Sequence, residues 1–445
     1  MFHMSKDIVT DMLARIDADL VKFLRLQFTD IQGMPKNVAI PVEQAEKALT
    51  DGIWFDGSSI EGFARIEESD MLLKPDPNTY SIIPWRPSDA RVARFICDVY
   101  TYGNKPFEGD PRYILKKNIQ EAEKMGFTYN TGPELEFFLF KMLDGRPSTT
   151  FQDFGGYFDL APTDYAEDVR RDIVLALTQM GFEIEASHHE VAESQHEIDF
   201  KYSTALDTAD RVITFKFATK TLALKRNLHA TFMAKPIGGI NGSGMHTHMS
   251  LMKDGKNAFY DPDGKRELSD TALYYIGGLL RHAKAITRVA NPTINSYKRL
   301  VPGYEAPVYI SWSASNRSAL VRVPAARGNS TRAEFRSPDP TCNPYLCFAA
   351  MLAAGLDGIR NKIAPPESTD VNIYHLSDAE RKKLGIEMLP GSLLDATDAL
   401  NRDQVVSKAL GPHIMEGLNS ITQLETDSYR TTVHPWELDR YLATY

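Results

Sequence analysis

"GPELEFFLF" (residues 132–140) places two carboxylates, two residues apart, inside a run that is otherwise apolar. A short aromatic-rich run behind a Gly-Pro reads as a β-strand. Side chains alternate along a strand, so Glu134 and Glu136 share a face with Phe138 and Phe140, while Leu135, Phe137 and Leu139 cover the other. A strand apolar on both faces is usually buried, and carboxylates are almost never buried without a partner. Positive charge is therefore expected opposite this pair.

The chain's 445 residues suffice for a sizeable core and more than one domain. Its 43% apolar and 10% aromatic content is that of a globular protein. A net charge of −9 argues against a nucleic-acid or membrane-surface partner for the whole molecule. The three cysteines, Cys97, Cys342 and Cys347, form no C-x-x-C pair, which suits a reducing compartment and argues against both a disulfide framework and a cysteine zinc site. The opening "MFHMSKDIVTDMLARIDADL" has no signal-peptide core, and the apolar stretch around "FAAMLAAGL" is too short for a membrane span. A cytoplasmic location is expected.

Residues 7–17 read as an amphipathic helix. "VKFLRLQFTD", "VAIPV", "YSIIPWRP" and "VARFICDVY" read as strands, with a helix at 43–49 between them. This small mixed domain ends near the polar stretch "YGNKPFEGDPR", giving a division into residues 1–108 and 109–445. In the larger part, 164–180, 207–227, 270–290 and 343–361 have helical periodicity. "FEIEASHHEV", "HEIDFKY", "MHTHMSLM", "VYISWSAS", "ALVRVPA" and "TRAEFRS" read as strands, and the turn "KDGKN" favours antiparallel pairing. The fold class is α+β.

Further acids and histidines accompany the first pair. "HHEVAESQHEIDF" carries Glu190 and Glu197, "NGSGMHTHMS" puts His246 and His248 on one strand face, and "TRAEFRS" sets Glu334 between Arg332 and Arg336. Carboxylate oxygens with a few imidazoles suit Mg²⁺ or Mn²⁺. His188, His189 and His196 read as structural or supporting residues. Six arginines lie between 299 and 336 (Arg299, Arg317, Arg322, Arg327, Arg332, Arg336) with only two acids, Glu305 and Glu334, and no lysine. Arginine's planar fork binds carboxylate or phosphate bidentately, so the cluster points to an anionic ligand. Carboxylate-held metals beside arginines are the equipment of phosphoryl transfer. No G-x-x-x-x-G-K-[ST] and no helix-opening G-x-G-x-x-G occurs, so a nucleotide would be held another way.

Taken together, "FDGSSIEGF", "GPELEFFLF", "HHEVAESQHE", "NGSGMHTHMS", "NSYKRLVPGYEAP", "NRSALVRVP" and "RAEFRSPDPTCNPYL" resemble class I glutamine synthetase over nearly the whole chain. The resemblance implies a β-grasp N-terminal domain, a catalytic domain with a curved antiparallel sheet flanked by helices, and a homo-oligomer of two stacked hexameric rings, a dodecamer with sites between subunits. It implies ligation of ammonia to glutamate with ATP through a γ-glutamyl phosphate. Glu136, Glu190 and Glu197 would hold one metal and Glu134, His246 and Glu334 another, with two or three Mg²⁺ or Mn²⁺ ions per subunit. Glu185, His248, Ser250 and Arg322 match nucleotide positions. Arg299, Asn241 and Gly242 match the glutamate grip, and Arg317 and Arg336 lie about the transferred phosphoryl and the substrate carboxylates. Glu305 matches a flap carboxylate that shields the acyl phosphate, and Asp56 with Ser59 matches the ammonium site.

Within class I, one branch carries an insertion and is adenylylated on a tyrosine. Tyr374 stands in "NIYHLS", but the stretches around 250–270 and 375–392 are short. "IEGFARIEESD" resembles the α-type branch, in which the arginine matching Arg65 mediates feedback inhibition by glutamine. Direct metabolite control is expected, with a PII-type or transcriptional regulator as a possible partner. Other readings within the fold are a γ-glutamyl ligase for another amine and a metabolite-sensing relative.

Overall fold

The computed structural model describes residues 4–58, 60, 70–304, 306–314, 316, 318–369 and 373–445. Two sheets organise them. The N-terminal sheet holds β1 (Val21–Thr29), β2 (Pro35–Pro41), β3 (Ile53–Asp56), β4 (Asp70–Pro75), β5 (Ser81–Ile82), β6 (Arg91–Thr101) and β7 (Lys105–Pro106). Its order is β2-β1-β6-β4-β3, with β1 and β6 parallel, and β5 and β7 also pair with β6. The helix Lys6–Ala18 starts where the Ser5 side chain accepts from the Ile8 N–H, and it buries Val9, Met12 and Ile16. β3 and β4 went unread in the sequence, and "YSIIPWRP" shrinks to the two residues of β5. The prolines that follow β5 limit its ladder.

The central sheet holds β8 (Thr128–Leu143), β9 (Arg146–Phe151), β10 (Ile184–His189), β11 (Gln195–Phe200), β12 (Ser203–Thr204), β13 (Leu228–Thr231), β14 (Met245–Lys253), β15 (Lys256–Asn257), β16 (Trp312–Ser313), β17 (Val321–Arg322) and β18 (Ala333–Phe335). Its order is β10-β11-β8-β14-β18-β17-β16, antiparallel except for the edge pair β16 and β17. β14 turns into β15 through Asp254 and Gly255, both at positive φ, as the "KDGKN" reading required. "VYISWSAS" and "ALVRVPA" keep only two strand residues each.

The two faces of β8 are as the alternation implies. Leu135, Phe137 and Leu139 lie in the large core, which helices 205–225, 270–281 and 344–360 cover. Phe138 and Phe140 join Ala192 in a separate small cluster on the opposite face. The helical stretch 270–290 is two helices, broken at His282, whose ring contacts Asp403 (2.6 Å) and Asp357 (3.1 Å). The apolar pattern runs on through that break because the second helix, Ala283–Ala290, is buried almost all round. Helix Pro111–Lys124 lies where the sequence suggested only a boundary: Asp110 caps it and Pro111 opens it. The C-terminal helices Leu393–Arg402, Gln404–Thr431 and Pro435–Tyr441 also went unread.

The sheets are tied together by buried polar contacts. Arg112 donates to Asp98 and Asp76 of the N-terminal part and to Asp210 of helix 205–225. Asn343, which caps helix 344–360, donates to the carbonyls of Asp30 and Ile31. Among the described residues, no helix is long and apolar enough to cross a membrane.

Candidate active site

Strand register assembles the site. Across β10, β11 and β8, His188 faces Glu197 and Glu197 faces Glu136. One step along, Asp199 faces Glu134, and Glu134 faces His246 of β14. One step further, His248 faces Glu334 of β18, which faces Arg322 of β17. Directly opposed residues share a face, so these side chains form a diagonal band over one side of the sheet. Opposite the first carboxylate pair stand two imidazoles, His246 and His248, near Glu134 and two guanidiniums, Arg299 and Arg336, near Glu136, so the expected positive charge is found beside Glu136.

Two donor groups form on the band. Ligand atoms of Glu134, His246 and Glu334 lie within 4.8 Å of one another, and so do those of His188, Glu190 and Glu197. Two ligands on opposite sides of one ion stand about 4–4.6 Å apart, twice a usual metal–oxygen distance, so both groups have the spacing a divalent ion needs. His188, a supporting residue by its sequence pattern, gathers with Glu190 and Glu197. Glu136 is held beside them, accepting from Gln195 Nε2 (2.9 Å) and the Gly244 N–H (2.9 Å). A Cβ on Gly244 would meet Arg299 Nη2 at 2.7 Å and His246 Nε2 at 3.1 Å, so the bare glycine lets these groups converge.

The charges are unevenly compensated. Burial raises Glu136 despite Arg299, and burial with repulsion from Asp199 and Glu136 lifts Glu197 well above the ordinary range. Burial also pushes Asp199 up to about 6, and its Oδ1 has no hydrogen-bond partner. Glu134 goes the other way: burial would raise it, but His246 and His248 outweigh that and hold it low. Glu334 is similar, because Arg336, donating at 2.6 Å, leads a set of cations that overcomes its burial. Burial, with Arg336 nearby, lowers His246 to about 4, which leaves a lone pair free for a metal. An excess of buried carboxylate with neutral imidazole fits a divalent cation.

Two cavities open on the band. One, of about 410 Å³, is lined by Glu134, Glu185, Asp199, His248, Ser250 and Arg332 among others. Arg332 Nε donates to His248 Nδ1 (3.2 Å), so His248 donates from Nε2 to Glu134 (2.8 Å) and orients that carboxylate. The other, of about 40 Å³, is lined by Glu136, Glu190, Asn241, Gly242, Arg299 and Arg336 among others. Arg322 lies outside both, 3.0 Å from Glu334. Arg327 is structural, donating to the carbonyls of Arg266 and Ala326.

Family models and relatives identify what the band belongs to. Residues 20–102 match the glutamine synthetase beta-Grasp domain and residues 108–441 the glutamine synthetase catalytic domain. The chain belongs to the glutamine synthetase family. Glutamine synthetase of Methanosarcina mazei is 59% identical over 434 residues, 97% of each chain. That of Thermus thermophilus is 59% identical over 440 residues, 98% of this chain and 99% of its own. A solved GmaS/ADP complex superposes with a TM-score of 0.89 at 34% identity, covering 98% of this chain and 100% of that one. Plasmodium falciparum glutamine synthetase gives 0.87 at 27% identity, covering 99% and 100%.

Ser59, Arg65, Glu305 and Arg317 lie outside the described residues. Asp56 sits on the edge strand β3 of the N-terminal sheet, exposed, with its carboxylate accepting from the Ser58 hydroxyl and N–H. Its apolar neighbours divide: Phe55 and Ile60 pack on their own N-terminal core, while Trp54 is 52% exposed. The Tyr374 hydroxyl donates to the Ala306 carbonyl at 2.6 Å. Asp199 and Gln195 are the site residues that the sequence reading omits, while Arg332, a member of its arginine cluster, orients His248. Asp199 had a signal, since it follows Glu197 by two, the same alternation that singled out Glu134 and Glu136.

Proposed function

We propose that this chain joins ammonia to glutamate through a γ-glutamyl phosphate held on the carboxylate band of the central sheet. The chain is an ATP-dependent glutamate–ammonia ligase that makes glutamine, and use of ATP and a divalent metal comes with its family. The observation that carries the detailed reading is the meeting of two donor groups between a roomy cavity and an arginine-walled one.

Glu134, His246 and Glu334 would hold one Mg²⁺ or Mn²⁺, and Glu190 and Glu197, with Glu136 and His188 beside them, another, for two or three ions per subunit. Bound metal supplies neutralisation of phosphate oxygens and of charge developing on the transferred phosphoryl group. Glu185, His248 and Ser250, on the wall of the larger cavity, and Arg322 beside Glu334 serve ATP. Arg299, Asn241 and Gly242 grip glutamate in the smaller cavity, whose wall Arg336 completes. Arg317 joins Arg336 at the phosphoryl group. Glu305 keeps water from the acyl phosphate, which would otherwise hydrolyse unproductively, and takes a proton as ammonia adds. Asp56, with Ser59, binds and deprotonates ammonium.

Asp56 lies on a different sheet from every metal-binding candidate, which favours a site completed by a neighbouring subunit in a homo-oligomer, a dodecamer of two hexameric rings. We place the domain boundary at residues 108 and 109, the molecule in the cytoplasm and the chain in the α-type branch. There, glutamine inhibits through Arg65, alongside a PII-type or transcriptional regulator. Glutamine should inhibit the wild type and spare Arg65→Ala; equal inhibition of both contradicts that assignment. Phosphate release with ATP and glutamate tests the reaction itself. It should require ammonium and fall to background with a panel of primary amines, whereas a preference for an amine would reassign the substrate.

A further inference from the structure

Beneath the hairpin that carries His188, Glu190 and Glu197 lies a third group, Asp153, His189 and His196, wholly buried. Hydrogen-bond direction excludes it as a cation cage. Arg170 Nη1 contacts His196 Nδ1 at 2.9 Å, and a guanidinium only donates. His196 therefore carries its proton on Nε2, which faces Asp153 Oδ2 at 3.8 Å and has no lone pair to offer a metal. Arg170, itself paired with Asp164 at 2.6 Å, also supplies the positive charge a metal would have to displace.

What the group does is grip the turn between the two ligand-bearing residues from both ends. Asp153 Oδ1 accepts from His189 Nε2 (3.0 Å) and from the Ser194 N–H (2.9 Å). His189 Nδ1 donates in turn to the Glu190 carbonyl at 2.7 Å. From the other end, Ser194 is held at a φ of 62°, and its Oγ accepts from the Gln152 and Asp153 N–H groups. The next residue, Gln195, reaches from this turn to Glu136 and to the Gly242 carbonyl. Gly155 lies so close that a Cβ would meet His189 Nε2 at 2.8 Å, and the Phe158 N–H donates to the His189 carbonyl. Segment 153–158 thus clasps the hairpin, with Asp153 against His189 and Ser194, and the Tyr157 and Phe158 rings edge-on against His188.

We infer that Asp153 is a positioning residue for the metal-binding hairpin, fixing Glu190 through His189 and the turn through Ser194. The inference rests on the reading that Glu190 and Glu197 hold a divalent cation. A residue that orients a ligand from behind typically changes metal affinity by 10–100-fold. Both gripping bonds fall on one oxygen, Oδ1; an asparagine amide retains that oxygen but not the negative charge opposite a His189 ring that donates from both nitrogens.

Mn²⁺ binding to the whole resting protein, followed by electron paramagnetic resonance without nucleotide, tests it. Glu190→Gln and Glu334→Gln first assign the two classes of bound Mn²⁺. Asp153→Ala should weaken the Glu190 class by roughly 10–100-fold and leave the Glu334 class unchanged. Asp153→Asn, which keeps the accepting oxygen without the charge, should restore part of that binding. Unchanged binding in Asp153→Ala, equal weakening of both classes, or an equal loss in Asp153→Asn overturns the inference. If Asp153→Ala does not fold, His189→Asn, too short to reach Asp153, should show the same selective weakening, and normal binding there overturns it. If Glu190→Gln removes no Mn²⁺, the cation reading itself fails, and the inference falls with it.

Discussion

At the seam between the sheets, Arg112 donates to Asp98, Asp76 and Asp210 at 2.6, 2.8 and 2.8 Å, and Lys116 adds a second cation to Asp98. On the central sheet, Glu136, Glu197 and Asp199 crowd one another with far less compensation. Both clusters gather buried carboxylates, yet Asp98 in the one and Glu197 and Asp199 in the other shift in opposite directions. Asp98 would be raised by burial, but Arg112 and Lys116 hold it below its usual value, whereas burial and mutual repulsion raise Glu197 and Asp199. A buried cluster whose carboxylates each touch a lysine or arginine holds the fold together. One left with surplus negative charge has room for a cation that arrives with the substrate.

That contrast can be broken by removing one charge from each side. Glu197→Gln deletes a metal-binding candidate from the surplus cluster. Its expected result is a loss of roughly 10²–10⁴ in the rate of glutamine formation, because a metal's charge stabilisation amounts to several kcal/mol. Its denaturant midpoint should stay at or above that of the wild type, since one repelling charge has gone. A large loss of stability with normal activity would show that Glu197 is structural.

Arg112→Ala does the reverse. It leaves Asp76, Asp98 and Asp210 without their common partner, and breaking such a buried set costs about 3–5 kcal/mol. Urea unfolding should show that loss, while turnover per folded molecule with saturating metal changes little. A stability unchanged within error would mean that the seam is held by packing alone.

A third, smaller effect concerns the one proposed site residue on the N-terminal sheet. Asp56→Ala and Glu305→Ala proteins should each be nearly inactive. Co-expressed in equal amounts, they should regain about a quarter of wild-type sites, because a random mixture pairs an intact loop with an intact flap at that frequency. No recovery in verified mixed oligomers would return Asp56 to its own chain's structure.

How much of this could be read in advance depended on whether the information was local. The faces of β8 followed from alternation, and the caps at Ser5 and Asn343 mark helix starts that sequence chemistry anticipates. Glu134, His246 and Glu334 come from three strands far apart in the chain, and only register joins them. Their grouping was legible through family resemblance, not through spacing. The break at His282 depends on Asp357 and Asp403, both far along the chain, so periodicity ran straight past it. Gln195 looks like an ordinary polar residue until its amide is seen to bridge Glu136 and Gly242. Phe55 and Ile60 turn inward while Trp54 beside them is exposed, and sequence alone has no means of telling the two destinations apart.

The central claim is that the surplus carboxylates of the sheet face exist to take divalent cations. Anomalous diffraction at the manganese edge, on crystals grown with Mn²⁺ and a non-hydrolysable ATP analogue, tests it most directly. The account predicts one peak among Glu134, His246 and Glu334 and a second at Glu190 and Glu197, each about 2.0–2.3 Å from its ligand atoms. Crystals that contain nucleotide but show no peak on the band, with Glu334 still closed on Arg336 and Glu134 on His248, would contradict it.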